Sequence, residues 1–425
     1  MVGVVGGAAV LDGDVVDRRP RTGLQEGPLV RGGDLVVLRA DDGVVDARHG
    51  VAPGVHAVDQ VGVVDLLHPG FTDEVVQGRV EVQTQRPDEP VDRLDTLPRR
   101  RYTTGPTPVT HLRDLSLALG GPEIWIKRDD QLGLALGGNK TRKLEFLVAD
   151  ALTAGADTLI TLGGVQSNHC RLTLAAARQE GLDCRLLLAE DLRPDATEGP
   201  NPPEFTGNFL LFDLLGADTE VHPHGHDLAG RAVELAAELT EEGRTPYIIP
   251  TGGSTATGAL GYVDCAREIL AQSVDLGMEW DAVVVASGSA GMQAGLVAGV
   301  DAAGADLPVV GVSVMNPQAT QEEMVGDLAD DVAFFLGAGP VPRDRVRVLD
   351  DYVGAGYTLP TDAMVEAVRL FATTEGVLLD PVYTGKAAAG LIDLVRRGIF
   401  APDGKILFLH SGGVPGLFAR AGYFE

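Results

Sequence analysis

The chain has 425 residues, 44% of them hydrophobic and 22% charged, which is typical of a globular protein long enough for two or three domains. Its formal net charge of −27 excludes nucleic acid and anionic membrane surfaces as expected partners, because no basic patch would outweigh such a field.

Cysteine content and hydropathy indicate the cellular compartment in which the protein is expected. The three cysteines, Cys170, Cys184 and Cys265, are widely spaced, so they predict neither a disulfide framework nor a zinc site and fit a reducing compartment. No apolar run reaches the length of about 18 residues that a membrane span needs. The apolar start MVGVVGGAAV has no basic residue before it, unlike a secretory signal. The sequence therefore predicts a cytoplasmic protein.

Residues 1–92 differ in composition from the rest. They contain no Lys, Ile, Ser, Asn, Cys, Tyr or Trp and a single Phe, and bursts such as GDLVVLRADDGVVDARHG suggest short edge strands between turns. Because this segment has so few large apolar side chains, their burial would compensate poorly for the conformational entropy lost on folding. We expect an N-terminal extension of low order that is disordered or not part of the functional protein. A regulatory or targeting role is the alternative.

From residue 93 onward, strands, glycine turns and helices alternate. In chain order the pattern predicts a strand in EIWIKRDD, a helix in KTRKLEFLVADALTAG, a strand in DTLITLGG, a helix in SNHCRLTLAAARQEG and a strand in CRLLLAE. It continues with RAVELAAELTEEG (helix), PYIIPTGG (strand), ALGYVDCAREILAQ (helix), DAVVVASGSAG and PVVGVSV (strands), TDAMVEAVRLFATTEG (helix) and KILFLHSGG (strand). This alternation is typical of an α/β fold with a parallel sheet.

Ligands of such sheets bind where strand carboxyl ends meet helix starts. Four glycine turns are predicted there: LGGNK, LGGVQSN, SGSAG and HSGG. The first belongs to GLALGGNKTRKLEF, residues 133–146, which holds two of the five lysines of the chain. A nucleotide P-loop requires G-x-x-x-x-G-K-[ST], but Asn139 stands where the lysine should be. The register therefore argues against a kinase or ATPase.

Chemistry on the amine is the second interpretation of this stretch. Lys140 is predicted at a helix start, where the helix dipole and the neighbouring Arg142 and Lys143 should lower its pKa and favour a neutral amine that condenses with an aldehyde. Asn139 before it is interpreted as a residue that tolerates a left-handed turn. A solvated, exposed Lys140 is the alternative. The turn SGSAG after an apolar strand offers a phosphate cradle, although the same glycines also suit a plain tight turn.

The blocks GGNKTRKLEF, GGVQSNHCR, ASGSAGMQAG, EGVLLDPVYTGK and HSGG, in this order, resemble pyridoxal-phosphate enzymes of the tryptophan-synthase-β type. Within that type they are similar to the D-cysteine desulfhydrase and 1-aminocyclopropane-1-carboxylate deaminase family. The resemblance covers roughly residues 95–425. It implies an α/β, two-domain architecture of fold type II with parallel twisted sheets, with residues 93–145 and 255–425 in a large cofactor-binding domain and 146–254 in a small domain. It also implies a homodimer.

The resemblance further implies which residues hold pyridoxal phosphate. Lys140 forms the Schiff base, the turn SGSAGM cradles the phosphate, and Asn168 contacts the 3′-oxygen of the ring. Ser411 faces the pyridine nitrogen with a hydroxyl, which leaves the ring a weaker electron sink than a carboxylate would and favours expulsion of a β-substituent. The implied cofactor-binding residues are Lys140, Asn168, Ser287, Gly288, Ser289, Ala290, Gly291, Met292, Thr384 and Ser411.

Catalysis and substrate binding are assigned by the same resemblance. The implied catalytic residues are Lys140, Ser167 and Tyr383, and the implied substrate-binding residues are Ser167, Asn168, His169 and Tyr383. Each has a plainer alternative: Ser167 is a good helix N-cap, His169 suits packing at a helix start, and Tyr383 suits packing beside a turn shaped by Asp380 and Pro381. No metal ligand set is predicted.

The substrate is predicted to be a small amino acid that undergoes β-elimination. Deaminases of this family carry an acidic residue after the tyrosine and a leucine in the H-x-G-G turn, whereas this chain has Thr384 and Ser411. The favoured activity is therefore that of a D-cysteine desulfhydrase. An L-cysteate sulfo-lyase is the alternative, and basic residues near the leaving group, with Arg171 among the candidates, would favour it. The alternative outside enzymes is an anion-binding α/β regulatory protein.

Overall fold

The structure is a computed structural model that describes residues 38–40, 43–45, 90–191 and 204–425. The chain divides into two units, Met1–Thr84 and Gln85–Glu425. In the first unit, β1 (Leu38–Ala40) and β2 (Gly43–Val45) pair antiparallel, with Arg39 opposite Val44. The rest of the segment predicted to be of low order, up to residue 89, lies outside the described residues.

The second unit alternates strands and helices, as the sequence predicts. Its strands are β3 (Val109–His111), β4 (Glu123–Lys127), β5 (Thr158–Gly164), β6 (Asp183–Ala189), β7 (Asp218–His222), β8 (Pro246–Ile249), β9 (Ala282–Ser287), β10 (Val309–Ser313), β11 (Val346–Leu349) and β12 (Lys405–Leu409). Its helices are α1 (Arg113–Leu119), α2 (Lys140–Thr153), α3 (Asn168–Glu180), α4 (Gly207–Leu214), α5 (Leu228–Glu241), α6 (Ala256–Leu276), α7 (Gly291–Ala302), α8 (Gln318–Leu336), α9 (Asp362–Glu375), α10 (Thr384–Arg396) and α11 (Val414–Phe418).

A six-stranded sheet has the order β11-β10-β9-β12-β4-β3. Its strands are parallel except β3, which pairs antiparallel with β4 at the edge of the sheet. The central strand β9, AVVVAS, is buried along its whole length, which is typical of a parallel strand covered by helices on both faces. The carboxyl ends of β9, β12 and β4 therefore lie side by side in the middle of this sheet.

The second sheet has four parallel strands in the order β7-β6-β5-β8. Its strands span residues 158–249, within the range predicted for the small domain, and the six-stranded sheet uses residues on both sides of it. The division into a large and a small domain stays a prediction.

Helix α3 begins and ends at residues that suit its termini. The Ser167 side chain accepts from the amide of Cys170 at the start of the helix, and Gly181 ends the helix in a left-handed conformation.

Helix α2 is buried on nearly every side, although its first turns carry charged residues. Arg142 donates to both oxygens of Asp129 at 2.8 and 2.9 Å and to both oxygens of Glu268 at 2.8 Å. Lys127 donates to Glu268 at 2.8 Å, and the Tyr262 hydroxyl donates to Asp129 at 2.9 Å. Burial opposes ionisation, yet the charge of Arg142 and its hydrogen bonds hold the pKa of Asp129 below its ordinary value. This ion cluster ties α2 to β4 and α6.

No helix among the described residues is both long and apolar enough to cross a lipid bilayer.

Replacing Arg142 with leucine tests the ion cluster. The change leaves Asp129 buried without its main counter-charge, so we expect the apparent free energy of unfolding in urea to fall by about 3–5 kcal/mol. The control is Asp327→Asn, opposite Arg343 in an exposed ion pair, which should cost about 0–1 kcal/mol. Equal losses in the two variants would contradict a structural role for the cluster.

Candidate active site

Two glycine turns of the six-stranded sheet are joined directly. The amide of Asn139, in LGGNK, donates to the carbonyl of Ser411, in HSGG, at 2.9 Å. A Cβ atom at Gly412 would lie 2.6 Å from Cα of Gly138, so the two turns approach more closely than any side chain permits. The turn after β9 is the next along the same sheet edge. Three predicted ligand-binding turns therefore converge at one place.

These turns and the turn after β5 enclose a cavity of about 240 Å³. Most of the predicted site residues line it. They are Lys140, Ser167, Asn168, His169, Ser287, Gly288, Ser289, Ala290, Met292, Tyr383 and Ser411. Gly291 and Thr384 are not part of the lining: Gly291 begins α7, and the Thr384 hydroxyl bonds to the carboxylate of Asp380 at 2.8 Å. For Thr384, a direct contact with a ligand in this cavity is therefore not supported.

Lys140 is the first residue of α2, and its amine faces the cavity rather than bulk water. Burial lowers its pKa to about 8, against the opposing charge of Asp380. The direction of the shift is the predicted one, and its main cause is burial, which the sequence interpretation did not include. Lys140 and Lys143 also repel each other, as predicted. Arg142 points into the ion cluster instead. The amine also donates to Asn139 Oδ1 at 3.2 Å.

The backbone strain near Lys140 does not lie where the sequence suggested. Asn139 has φ −54° and ψ −26°, an ordinary right-handed conformation, so the left-handed turn predicted for it was wrong. Positive φ occurs just before it, at Ala135 (22°), Leu136 (68°), Gly137 (68°) and Gly138 (122°). Non-glycine residues adopt such angles at a cost, which is commonly found at functional sites.

Lys143 is a cavity residue that the sequence did not reveal as such. Its amine donates to the carbonyl of Gly252 at 3.0 Å and to the Ser254 hydroxyl at 2.9 Å. Ser254 in turn donates to the Ser289 hydroxyl at 2.8 Å. In this arrangement Ser289 accepts from Ser254, so the hydrogen of the Ser289 hydroxyl is left for a ligand. The turn PTGGS after β8 followed the same strand-to-helix pattern as the four predicted turns and could have been included.

A second buried side chain orients the other serine of the SGSAG turn. Gln321, on α8, donates to the Ser287 hydroxyl and to the carbonyl of Gly288, both at 2.9 Å. The hydrogen of Ser287 is therefore also free to point elsewhere. Ala290 holds φ 64° immediately before α7, whose first amides have no acceptor within the helix. Hydroxyl and amide donors of this kind are the usual cradle of a phosphate.

At the start of α3, Asn168 is held in one orientation. Its Oδ1 accepts from Arg171 at 2.7 Å and from Asn208 at 2.9 Å, which leaves its amide nitrogen as the free donor. Arg171 also donates to the carbonyls of Ala135 and Gly137 at 3.0 Å. Burial without a carboxylate partner lowers the pKa of Arg171 to about 10, so it stays charged at neutral pH. Its side chain supports the turn before Lys140 and does not line the cavity.

His169 is neutral, and its tautomer follows from its neighbours. The Thr161 hydroxyl donates to the carbonyl of Ile249 at 2.9 Å, so it must accept from His169 Nε2 at 2.9 Å. Nδ1 is then an acceptor, and no described residue donates to it although it is buried. Burial, followed by the charges of Lys140 and Lys143, holds the pKa of His169 well below its ordinary value. The ring therefore packs in the cavity wall with its Nδ1 lone pair buried.

Tyr383 is paired with Tyr357, a cavity residue that the sequence interpretation did not select. The two hydroxyls share a hydrogen bond, and the rings meet edge to face with centroids 6.1 Å apart. Burial, followed by the neighbouring phenol, holds the pKa of Tyr383 well above its ordinary value, so it is a neutral donor. Asp380 fixes the turn by accepting from the amides of Val382, Tyr383 and Thr384 at 2.8 to 2.9 Å. The shaping role predicted for Asp380 agrees with these bonds.

The charges of the cavity fit an anionic ligand. Lys140 and Lys143 both face it, and in the described part of the chain neither forms an ion pair with a carboxylate. Burial and the charge of Lys140 hold the pKa of Lys143 well below its ordinary value, a situation that a bound phosphate would relieve. A search of the described residues finds no group of His, Cys, Asp and Glu able to hold a metal ion. The donor set therefore suits a phosphorylated aldehyde.

An α/β fold with a lysine amine and a phosphate cradle in one cavity defines a class of cofactor-dependent enzyme, and comparisons with known proteins agree. Residues 101–412 match the family model described as pyridoxal-phosphate dependent enzyme. The chain is 47% identical over 330 residues to the D-cysteine desulfhydrase of Salmonella paratyphi C, covering 78% of this chain and 98% of the relative. The D-cysteine desulfhydrase of Salmonella typhimurium is equally similar, at 47% identity over 330 residues.

Solved structures give the same result. A crystal structure of an ACC deaminase homologue is 38% identical, has a TM-score of 0.72, and covers 79% of this chain and 98% of its own. The diaminopropionate ammonia lyase of Escherichia coli, at 17% identity and a TM-score of 0.54, shares the fold over 79% of this chain and 89% of its own. The chain belongs to the family of pyridoxal-phosphate dependent enzymes. The predicted resemblance, fold class and cofactor are confirmed.

Covalent attachment of pyridoxal phosphate should follow the ionisation of Lys140. Only the neutral amine reacts with an aldehyde, and the neutral fraction rises as the pH passes through about 8. We expect the rate at which the cofactor-free chain acquires the yellow absorption to increase from pH 6 and level off above about pH 8.5. A rate that still climbs steeply at about pH 10, as for an ordinary lysine, would contradict the burial of this amine.

Removing the second amine should weaken the hold on the phosphate. In Lys143→Met the donor to Ser254 is lost and Ser289 is no longer oriented, so we expect the dissociation constant for pyridoxal phosphate to rise about tenfold or more. Equilibrium titration of the absorption measures it. Lys405→Met, at the start of β12 and outside the cavity lining, is the matched control and should bind normally. Normal affinity in Lys143→Met would refute the relay.

Proposed function

We propose that the chain is a pyridoxal-phosphate dependent lyase that catalyses β-elimination of D-cysteine, giving pyruvate, ammonia and hydrogen sulfide with uptake of one water. The observation that carries the proposal is a lysine amine of lowered pKa facing a cavity that is also lined by the SGSAG turn and by Ser411 of the HSGG turn. The two D-cysteine desulfhydrases compared above support the substrate, because this chain covers nearly their whole length.

When bound, pyridoxal phosphate supplies an electron sink for the electrons released at the substrate Cα. The protein residues do the rest. Lys140 would hold the cofactor covalently and, once released by the substrate amine and neutral, would take the Cα proton. Ser287, Ser289 and Lys143 fix the phosphate end. Ser411 offers the pyridine nitrogen a hydroxyl, so the ring is not forced to be protonated, and loss of a β-substituent is favoured over reprotonation.

The start of α3 is proposed as the carboxylate site. Its first amides lack acceptors within the helix, and the helix dipole favours an anion there. Asn168 has its amide oxygen occupied by Arg171 and Asn208, which leaves its nitrogen to donate to the 3′-oxygen of the cofactor. Ser167 caps the helix through its oxygen lone pair and keeps its own hydrogen for the substrate. The neutral Tyr383 and Tyr357 hydroxyls are further hydrogen-bond donors in the cavity lining.

Competing substrates are less well supported. The acidic residue and the leucine expected of a cyclopropane deaminase are Thr384 and Ser411 here. Arg171, which in the cavity would have favoured a sulfonate, uses its donors on carbonyl and amide oxygens and lies outside the lining. Arg171 therefore does not support an L-cysteate sulfo-lyase; the arginine that does line the cavity is Arg420, which is paired with Asp191.

A homodimer in the cytoplasm is proposed as the working form. Free, buried Cys170, Cys184 and Cys265 suit a reducing compartment. Val274 on α6 and Phe334 on the adjoining α8 are 80% and 83% exposed, an apolar character that suits a protein contact. Sedimentation velocity measures the oligomeric state, and a monomer at micromolar concentration would contradict this part of the proposal.

A substrate panel tests the activity. We expect release of pyruvate from D-cysteine and β-chloro-D-alanine, and at least about a hundredfold lower kcat/KM with L-cysteine, L-cysteate and 1-aminocyclopropane-1-carboxylate. Oxo-acid release, measured with a coupled dehydrogenase, gives the comparison. The Lys140→Ala variant should lose both the yellow absorption and the activity. Preferred turnover of 1-aminocyclopropane-1-carboxylate, or a colourless wild-type chain in the presence of pyridoxal phosphate, would overturn the proposal.

A further inference from the structure

Arg420 and Asp191 form an ion pair in the wall of the active-site cavity. Asp191 follows β6 of the four-stranded sheet, and Arg420 follows α11 near the end of the chain. A terminal nitrogen of Arg420 donates to Asp191 Oδ2 at 3.0 Å. Both side chains line the cavity, yet Arg420 is only 7% exposed. The pair joins two segments of the cavity wall that are 229 residues apart in the chain.

The guanidinium of Arg420 has a donor to spare. Its Nε–H is buried, and no acceptor for it exists among the described residues. Buried guanidinium donors are nearly always satisfied, so an unpartnered one that borders a ligand cavity suggests a ligand atom. An arginine cannot give up a proton at any ordinary pH, so this group acts by charge and by hydrogen bonding.

Arg420 lies on the tyrosine side of the cavity. Its charge opposes the rise in the pKa of both Tyr357 and Tyr383, whose hydroxyls are bonded to each other. The start of α3, proposed above for the substrate carboxylate, and Lys140, proposed to react at the substrate amine, also line the cavity. Asp191 lies beside the turn before α3, with Oδ1 3.7 Å from the Cβ position of Gly164. With the carboxylate and amine of the substrate held there, the tyrosine side is left for the β-substituent.

We propose that Arg420 binds the sulfur of the substrate through its free Nε–H, and that Asp191 makes this position selective for a thiol over a sulfonate; this rests on the function proposed above. As the Cα proton passes to Lys140, the C–S bond breaks. Both of its electrons leave on sulfur as hydrosulfide, and the electron pair from the Cα–H bond forms the Cα=Cβ bond. The single N–H of Arg420 stabilises the hydrosulfide, which takes a proton from water.

Asp191 supplies the discrimination. A thiol is neutral when it binds and becomes negative only as it leaves, whereas a sulfonate is negative from the start. The Asp191 carboxylate occupies part of the guanidinium and adds a negative charge to the cavity wall, so it repels a sulfonate in the bound state. It has little effect on a neutral thiol. Specificity then arises from a repulsive element, not only from attraction.

Two variants test the inference. In Asp191→Asn the repulsion is removed and more of Arg420 is exposed, so we expect the dissociation constants of D- and L-cysteate, measured from the change in cofactor absorption, to fall about tenfold. The ratio of kcat/KM for D-cysteate to that for D-cysteine should rise by a similar factor. In Arg420→Gln we expect kcat for D-cysteine to fall about tenfold or more, with a much smaller loss for β-chloro-D-alanine, because chloride departs without assistance.

The controls separate this inference from the proposed function. Asp327→Asn, at an exposed ion pair outside the cavity lining, removes the same charge and should change neither cysteate binding nor the activity ratio. Unchanged cysteate affinity in Asp191→Asn, or equal losses for the two D-substrates in Arg420→Gln, would overturn the inference while leaving β-elimination intact. A wild-type enzyme inactive on every D-substrate would overturn the proposed function, and the cysteate titration would still decide the role of Asp191.

Discussion

The site depends on a charge imbalance that the fold maintains. Lys140 and Lys143 lie one helical turn apart at the start of α2, both facing the same cavity, and no carboxylate in the described structure forms an ion pair with either. A protein buries such charges only where a ligand compensates them. In the proposed function, the phosphate of the cofactor would compensate the charge of Lys143 and its aldehyde would react with Lys140. The lowered pKa values and the oriented serines follow from this arrangement, so the site is specific for an anion that also carries a reactive carbonyl.

On the opposite face of α2, the buried positive charge is neutralised by carboxylates. Arg142, between the two lysines in sequence, finds two buried carboxylates, Asp129 and Glu268, and is fully paired. Helix α2 therefore has a neutralised face against β4 and α6 and an unneutralised face toward the cavity. The neutralised face fixes the helix with directional hydrogen bonds, which hold the lysines in place better than apolar contacts alone. The direct bond between Asn139 and Ser411 then sets the position of Lys140 relative to the Ser411 residue of the HSGG turn.

The sequence was sufficient for features written in local patterns. Strands such as β5 and β9 and helices such as α3, with Ser167 and Gly181 at its ends, carry their own period, cap and stop residues, and the glycine turns could be placed at strand ends. Contacts between residues that are distant in the sequence could not be predicted. Whether Arg142 neighbours Lys140 or Glu268, and whether Arg171 faces the cavity or the loop before Lys140, depends on side-chain direction across 126 and 36 residues of separation. Tyr357 and Arg420 lie in segments without a recognisable motif and join the site only through tertiary packing.

Strain in the described backbone is concentrated around the cavity. Only four non-glycine residues there have positive φ: Ala135, Leu136, Ala290 and Thr358. The first two precede Lys140, Ala290 lies in the phosphate cradle, and Thr358 follows Tyr357. Each of these backbone conformations costs about 1–3 kcal/mol and persists only where contacts with neighbouring residues enforce it. Arg171 holds the first loop by donating to the carbonyls of residues 135 and 137. Lys386 holds the loop before Thr358 by donating to the carbonyls of Val353 and Gly356 at 2.7 and 2.9 Å. Buried cations without carboxylate partners thus hold the strained loops through their carbonyls, which places the reactive groups before any ligand arrives and reduces the ordering that binding must bring about.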